Sequence, residues 1–146
     1  MRIEKEQLDA ETLAAFDFAN FDENHRMDEE EWKSMLGSGY VAIYTARTEE
    51  DELAGILVLK TASVNVGLWY FYSVAVSEQY RKMGLATRLF KEAIGAEIAT
   101  GNIQSHCHID NTESIGFHKS LGFKPIQYTN DFYGDYEDAI MWERAR

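Results

Sequence analysis

Residues 73–90 read SVAVSEQYRKMGLATRLF: an apolar, strand-like stretch ending at Val76, a polar turn, and a helical pattern starting near Gly84. Arg81, Lys82, Arg88 and Lys91 gather around that single glycine in a chain that is otherwise strongly acidic. A strand that turns into a helix exposes backbone N–H groups that lack intrahelical partners, at the positive end of the helix dipole. With no Cβ at Gly84, an anion can come close to the backbone. Diphosphate is the natural ligand of such a turn. A helix start whose glycine merely serves the turn fits the spacing R-x-x-G-x-A equally well. The stretch is not a nucleotide P-loop, which needs G-x-x-x-x-G-K-S/T, nor a dinucleotide fingerprint, which needs more than one glycine.

Upstream, LWYFYSVAV (68–76) is the longest of three strand candidates, after YVAIYTAR (40–47) and LAGILVLK (53–60). Their β-branched and aromatic content, separated by polar turns, predicts an antiparallel meander. The first 36 residues predict two short helices. In DAETLAAFDFAN, Leu13 and Phe16 follow Asp9 or Thr12, either of which serves as a cap. In DEEEWKSML, Asp28 and Glu31 have capping-box spacing, and Trp32, Met35 and Leu36 share a face.

Downstream, GLATRLFKEAIGAEIA predicts an amphipathic helix, with Leu85, Leu89, Ala93 and Ala96 in one apolar row and Ala86, Phe90 and Ile94 beside it. NIQSHCHI reads as a strand, and DNTESIGFHKSLGF as a helix stopped by Gly122. KPIQYTNDFYGDYEDAIMWER supplies two last strands. The predicted order is α-α-β-β-β-α-β-α-β-β, an α/β layered sandwich.

With 146 residues, one proline and no repeat, a single domain spanning 1–146 is expected. Lys and Arg number 14 against 25 Asp and Glu, a net charge of −11 that argues against nucleic acid or an anionic membrane as partner. The opening MRIEKEQLDAETL lacks the apolar centre of a signal peptide, and no apolar run is long enough to span a bilayer. A single cysteine excludes an intrachain disulfide framework. A soluble, cytoplasmic chain is expected.

VAVSEQYRKMGLATRLF resembles the cofactor-binding segment of the GNAT superfamily of acetyl-CoA-dependent N-acetyltransferases, whose signature is Q/R-x-x-G-x-G/A. Arg81, Gly84 and Ala86 fill its positions. NTESIGFHKSLGF is similar to a second family element through Asn111, Ser114, Ile115, Gly122 and Phe123. FYGDYEDAIMWER is similar to the tyrosine-rich terminus of protein N-terminal (ribosomal-protein alanine) acetyltransferases, departing from it at Tyr136, where glycine is usual. The resemblance implies a GNAT fold, a central mixed and largely antiparallel sheet flanked by helices. It also implies acetyl transfer from acetyl-CoA to a primary amine by direct attack through a tetrahedral intermediate. The acceptor would be a small-molecule amine or a peptide or protein amine, and a homodimer is compatible with the family.

By that resemblance, the backbone amides of Lys82, Met83, Gly84, Leu85, Ala86 and Thr87 hold the diphosphate, and Arg81, Lys82, Arg88 and Lys91 supply positive charge. Val74 and Val76 lie on the strand that follows the pantetheine, with the Val76 N–H polarising the thioester carbonyl. Asn111, Ser114 and His118 share a helix face. His118 stands where the family places a tyrosine near the sulfur, as the acid for the leaving thiolate. An imidazole titrating near 6.5 suits that role, and a packing histidine suits the position as well.

His106 aligns with the glutamate that serves as base in N-terminal acetyltransferases. Strand alternation puts His106 and His108 on one face and Cys107 on the other. Tyr70, Tyr72 and Tyr133 are candidate anchors for substrate. An H-x-H pair falls short of the three or four ligands of a metal site, and no metal is expected. Glu29, Glu30 and Glu31, or Asp131 and Asp135, attract a cationic acceptor or are simply solvated. Two rivals stand: a CoA-binding regulatory or interaction module of the same fold, and an unrelated α/β protein whose basic turn binds another phosphate.

Overall fold

The computed structural model of the chain describes residues 1–23, 26–62, 67–98, 100–130, 132 and 138–146. In chain order the elements are β1 (Arg2–Lys5), α1 (Ala10–Asn20), α2 (Glu29–Leu36), β2 (Tyr40–Arg47), β3 (Leu53–Thr61) and β4 (Leu68–Val76). A 3-10 turn at Glu78–Tyr80 leads to α3 (Leu85–Glu97), β5 (Asn102–His108), α4 (Thr112–Ser120), β6 (Lys124–Thr129) and β7 (Ala139–Ala145). One sheet runs in the order β1-β2-β3-β4-β5-β7-β6. Every pairing is antiparallel except β4 with β5. Among the described residues, no helix is long and apolar enough to cross a membrane.

The predicted order holds from α1 onward, and the structure adds β1. RIEK carries one apolar residue between charges, too little to read as a strand. Its conformation comes from pairing with residues 44–47 of β2. Of the two candidate caps for α1, Asp9 serves, its carboxylate accepting from the Thr12 N–H at 2.8 Å. The capping box of α2 is complete, with Asp28 and Glu31 each bonded to the other's backbone N–H.

The helices cover the sheet from both sides. Leu13, Phe16, Trp32 and Met35 of α1 and α2 pack on Ile43, Ile56, Val58 and Ala75. On the other side Leu85, Leu89, Phe90 and Ala93 of α3 pack with Leu57, Leu59, Phe71, Ile103 and Trp142. Each of the larger apolar side chains among them contributes roughly 1.5–3 kcal/mol by leaving water. Ala96, predicted to extend the buried row of α3, is exposed, because the helix ends at Glu97 and Ile98 turns inward instead.

Two irregularities interrupt the ladder of β4. Ser73 pairs with Val58 and Phe71 with Leu59, so Tyr72 is an extra residue that makes a β-bulge. The bulge shifts the alternation. Trp69 and Phe71 face the α3 layer, and beyond the bulge Val74 and Val76 do, while Tyr72 and Ala75 face α1 and α2. In addition, β4 pairs with β5 only over Leu68–Tyr70 against Asn102–Gln104. Past Tyr70 the two strands part, and β5 continues alongside β7.

The closed end of that parting depends on a backbone contact. Gly101 has φ of 110°, and a Cβ there would lie 2.0 Å from the Gly67 carbonyl oxygen. Asn102 N–H donates to the same oxygen at 3.0 Å. Gly101→Ala should therefore cost about 2 kcal/mol or more of unfolding free energy in urea. Gly95→Ala, on the exposed face of α3 with nothing within 4 Å, should gain up to about 1 kcal/mol in the same measurement.

Candidate functional site

The turn between β4 and α3 forms the first wall. Lys82 and Gly84 both have left-handed backbones, with φ of 62° and 74°, so Met83 is carried outward and the N-terminus of α3 is left bare. Arg88 N–H makes the first intrahelical bond, to Gly84 O at 3.0 Å, leaving the N–H groups of Leu85, Ala86 and Thr87 directed out of the helix end. Of the four described α-helices, α3 is the one with neither a side-chain cap nor an acidic residue in its first turn. Leu85 offers only its backbone, since its side chain is buried in the core.

Arg88 and Lys91 stand exposed on the outer face of α3, lining a shallow groove with Glu92, Gly95 and Ala96. Arg81 is differently engaged from a free phosphate ligand. Its Nε donates to Val76 O at 3.0 Å and its Nη2 to Asn20 O at 2.8 Å.

The edge of β4 forms the second wall. Ser77 N–H donates to Ala54 O at 2.9 Å, which makes 54 and 77 a hydrogen-bonded pair of the antiparallel ladder. The next pair, Gly55 and Val76, is then a non-hydrogen-bonded one, and so is Leu57 with Val74. The backbone N–H groups of Val74 and Val76 therefore point away from β3, toward the space that β5 has left.

Behind this edge lies a polar network reached by α4. Asn111 caps α4, its side chain accepting from Ser114 N–H at 3.0 Å. His118 is only 4% exposed, stacked on Trp142 with ring centres 5.2 Å apart. Its Nδ1 lies 2.7 Å from the Ser114 carbonyl, which can only accept, so Nδ1 carries a proton. Its Nε2 is 2.8 Å from Ser105 Oγ, which also lies 3.1 Å from the Phe71 carbonyl, so the one hydroxyl proton serves either that carbonyl or a neutral Nε2. Burial lowers the His118 pKa, opposed by the Ser114 carbonyl, so the ring is neutral at pH 7. Its expected place beside the reacting sulfur is thus not an open one: Ser105, itself 2% exposed, stands between the imidazole and β4.

The opposite face of the sheet carries a strip of rings. Trp32, Tyr72, Tyr70, His106 and Phe132 follow one another with centre-to-centre distances of 6.2, 6.3, 5.6 and 4.7 Å. The alternation of β5 holds: residues 103, 105 and 107 are buried toward α4, and His106 and His108 lie on the other side. His106 and His118 are therefore separated by the sheet. Cys107 is buried, with Trp142 Nε1–H donating to its sulfur at 3.2 Å.

Tyr70 Oη and His106 Nδ1 are hydrogen-bonded. Burial raises the Tyr70 pKa and, aided by His118, lowers that of His106 to about 4. The phenol is then the donor and neutral Nδ1 the acceptor. Tyr133, Asp131 and Asp135 lie outside the described residues.

Three residues that sequence reasoning passed over shape this site. Lys60 places Nζ 5.9 Å from the Tyr72 ring centre. Ser105 bridges β4 to His118, and only its alternation with His106 hinted at it. Asp17, 4% exposed, takes both the Met27 N–H and the Trp32 indole N–H on one oxygen, at 3.2 and 3.1 Å. Its i, i+4 relation to the buried Leu13 was the available signal.

The model of the Acetyltransferase (GNAT) family matches residues 6–123. An N-alpha-acetyltransferase of Sulfurisphaera tokodaii is 31% identical over 90 residues, 60% of this chain and 54% of that protein. A second, from Saccharolobus solfataricus, is 29% identical over 49% of this chain and 45% of that protein. The chain spans about half the length of these curated relatives. Among solved structures, the ribosomal-protein-S18-alanine N-acetyltransferase of Escherichia coli has the same fold, with a TM-score of 0.80 at 16% identity over 99% of this chain and 92% of that one.

Burial lifts the Asp17 carboxyl to about 6, with its two hydrogen bonds opposing the shift. Because its folded pKa lies above the ordinary value near 3.9, the stability linked to it is complete below pH 4 and is lost as pH rises through 6. Asp17→Asn keeps an oxygen for both donors and removes the charge. Urea unfolding should show the variant gaining up to about 3 kcal/mol on wild type between pH 4 and pH 7.5.

Proposed function

The chain belongs to the Acetyltransferase (GNAT) family, and on that premise we propose that it moves an acetyl group from acetyl-CoA to the α-amine of a polypeptide as a single domain over residues 1–146. The observation that carries this reading is the bare N-terminus of α3 beside the unpaired edge of β4. One offers partial positive charge to a diphosphate, and the other offers two inward N–H groups to an extended amide chain and a thioester carbonyl. Lys82, Met83, Gly84, Leu85, Ala86 and Thr87 would hold the diphosphate through their backbones. Arg88 and Lys91 would counter the repulsion between an acidic chain and an anionic substrate. The names of the matched relatives support the α-amine as acceptor.

The amine approaches from the face that carries Tyr70, Tyr72 and His106. Its nitrogen attacks the acetyl carbonyl, and the oxyanion of the tetrahedral intermediate is held by the Val76 N–H. The attacking nitrogen becomes acidic only as the new bond forms. At that point Tyr70 takes its proton and passes its own to His106 Nδ1. An imidazole held near pKa 4 is too weak a base to deprotonate a resting α-ammonium of pKa about 8. It is nevertheless strong enough for the intermediate. Collapse expels the CoA thiolate, and the proton held on His106 passes back through Tyr70 to the sulfur, which restores both groups. His118, behind Ser105 and stacked on Trp142, packs the base of the cleft.

The test is CoA release from acetyl-CoA over peptides with free N-termini, lysine peptides and small amines, with products weighed by mass spectrometry. Peptide α-amines should be acetylated, and turnover confined to small amines would overturn the acceptor assignment. Tyr70→Phe and His106→Ala should each lower kcat about 10²-fold, and the double variant little further, since the two act as one relay. The rise of kcat/KM with pH should follow the pKa of the acceptor, near 8, and move when the acceptor is changed. A fixed limb near 6.5 for every acceptor would instead mark a histidine.

A further inference from the structure

Arg81 joins two parts of the molecule that the chain separates by 61 residues. Its Nε holds the carbonyl of Val76, the last residue of β4, and its Nη2 holds the carbonyl of Asn20, the last residue of α1. The last carbonyls of a helix lack intrahelical partners and carry the negative end of its dipole. The last turn of α1, residues 17–20, contains no basic side chain of its own, so its cation arrives from the turn before α3. Three residues beyond Arg81 lies Gly84, where the anion-binding helix begins.

From Asn20 the connection continues through packed and hydrogen-bonded groups. Phe21 N–H and Asn20 Nδ2 close the end of α1 on Asp17 O and Phe16 O, at 2.8 and 2.9 Å. The Asp17 carboxylate holds Met27 and Trp32, and Trp32 meets Tyr72 edge-on. Met27 Sδ accepts from Tyr72 Oη at 3.5 Å. One guanidinium thus ties the turn that would receive the diphosphate to the wall that would receive the amine.

We propose that Arg81 is a positioning residue that couples the two substrates: an anion seated on the 82–87 turn fixes Arg81, and Arg81 fixes the end of α1 and the amine-side wall. The inference rests on the acetyl-transfer reading above. Coupling requires that the anion contact the turn differently in its ordered and disordered forms, and N–H groups directly following Arg81 meet that requirement. By linkage the effect is reciprocal, so an acceptor that orders α1 tightens CoA.

The test follows amide hydrogen exchange over residues 17–23, with and without CoA, in the whole chain. In the wild type CoA should slow exchange there at least fivefold. Arg81→Ala should still bind CoA, with Kd within about threefold of wild type, while residues 17–23 stop responding. At saturating acetyl-CoA its kcat/KM for the acceptor should fall about tenfold, mainly through KM, and Arg81→Lys should recover part of that loss. A wild type that binds CoA with no change at 17–23 would overturn the coupling and leave the acetyl-transfer reading intact, and this arm needs no variant to fold. A response at 17–23 that persists in Arg81→Ala, with CoA affinity alone reduced, would make Arg81 a simple phosphate ligand. Failure of the wild type to bind CoA would overturn both readings.

Discussion

The parting of β4 from β5 past Tyr70 is the constraint on which the rest of the site depends. A strand edge inside a molecule exposes N–H and C=O groups that must find partners. Here Ser105 Oγ reaches across to the Phe71 carbonyl, and Arg81 takes the Val76 carbonyl. The N–H groups of Val74 and Val76 on that edge are donors facing a gap. The gap is kept open from both ends: the Gly67–Gly101 contact draws the strands together below it, and the bulge at Tyr72 twists β4 away above it. Twist and an interrupted ladder are what a bulge provides at a small local cost.

The electrostatics of the chain follow from the same placement. A net charge of −11 repels an anion at long range, yet such repulsion is screened within about 8–10 Å at physiological salt. Close to α3 the field is set by the helix end, by Arg88 and Lys91, and by a first turn free of carboxylates. The other described α-helices begin with Asp or Asn caps and an acidic first turn, and so neutralise their own N-termini. Only where the dipole is left uncompensated is there anything for a ligand to gain.

The buried Asp17 and His118 and the half-buried His106 serve different ends. Asp17 carries a raised pKa because burial strips its hydration, against the pull of the two hydrogen bonds that hold the α1–α2 connection. His118 is neutral through burial and spends its N–H on a carbonyl, as a packed core histidine does. His106 is neutral as well, but its ring belongs to an aromatic strip on the open side of the sheet and shares a proton with Tyr70. A lowered pKa alone does not separate the last two. The face of the sheet on which each ring lies does.

Much of this was legible in the chain. The helix and strand spans followed from hydrophobic period, caps and glycines, because those signals are local. The α3 turn announced itself through Gly84 and its basic neighbours, and the alternation in SHCHID placed His106 opposite Cys107. Four features were not legible: the strand RIEK, the bulge at Tyr72, the engagement of Arg81 with Asn20, and the separation of His106 from His118 by the sheet. Each depends on a partner far along the chain. Strand pairing, register and the reach of a guanidinium are decided by what folding brings alongside, and no window of neighbouring residues contains that information. The sequence by itself determined the elements from α1 onward and the glycine-led, basic start of α3. The tertiary structure alone decided which side chains share the cleft, because that is set by the parting of two strands.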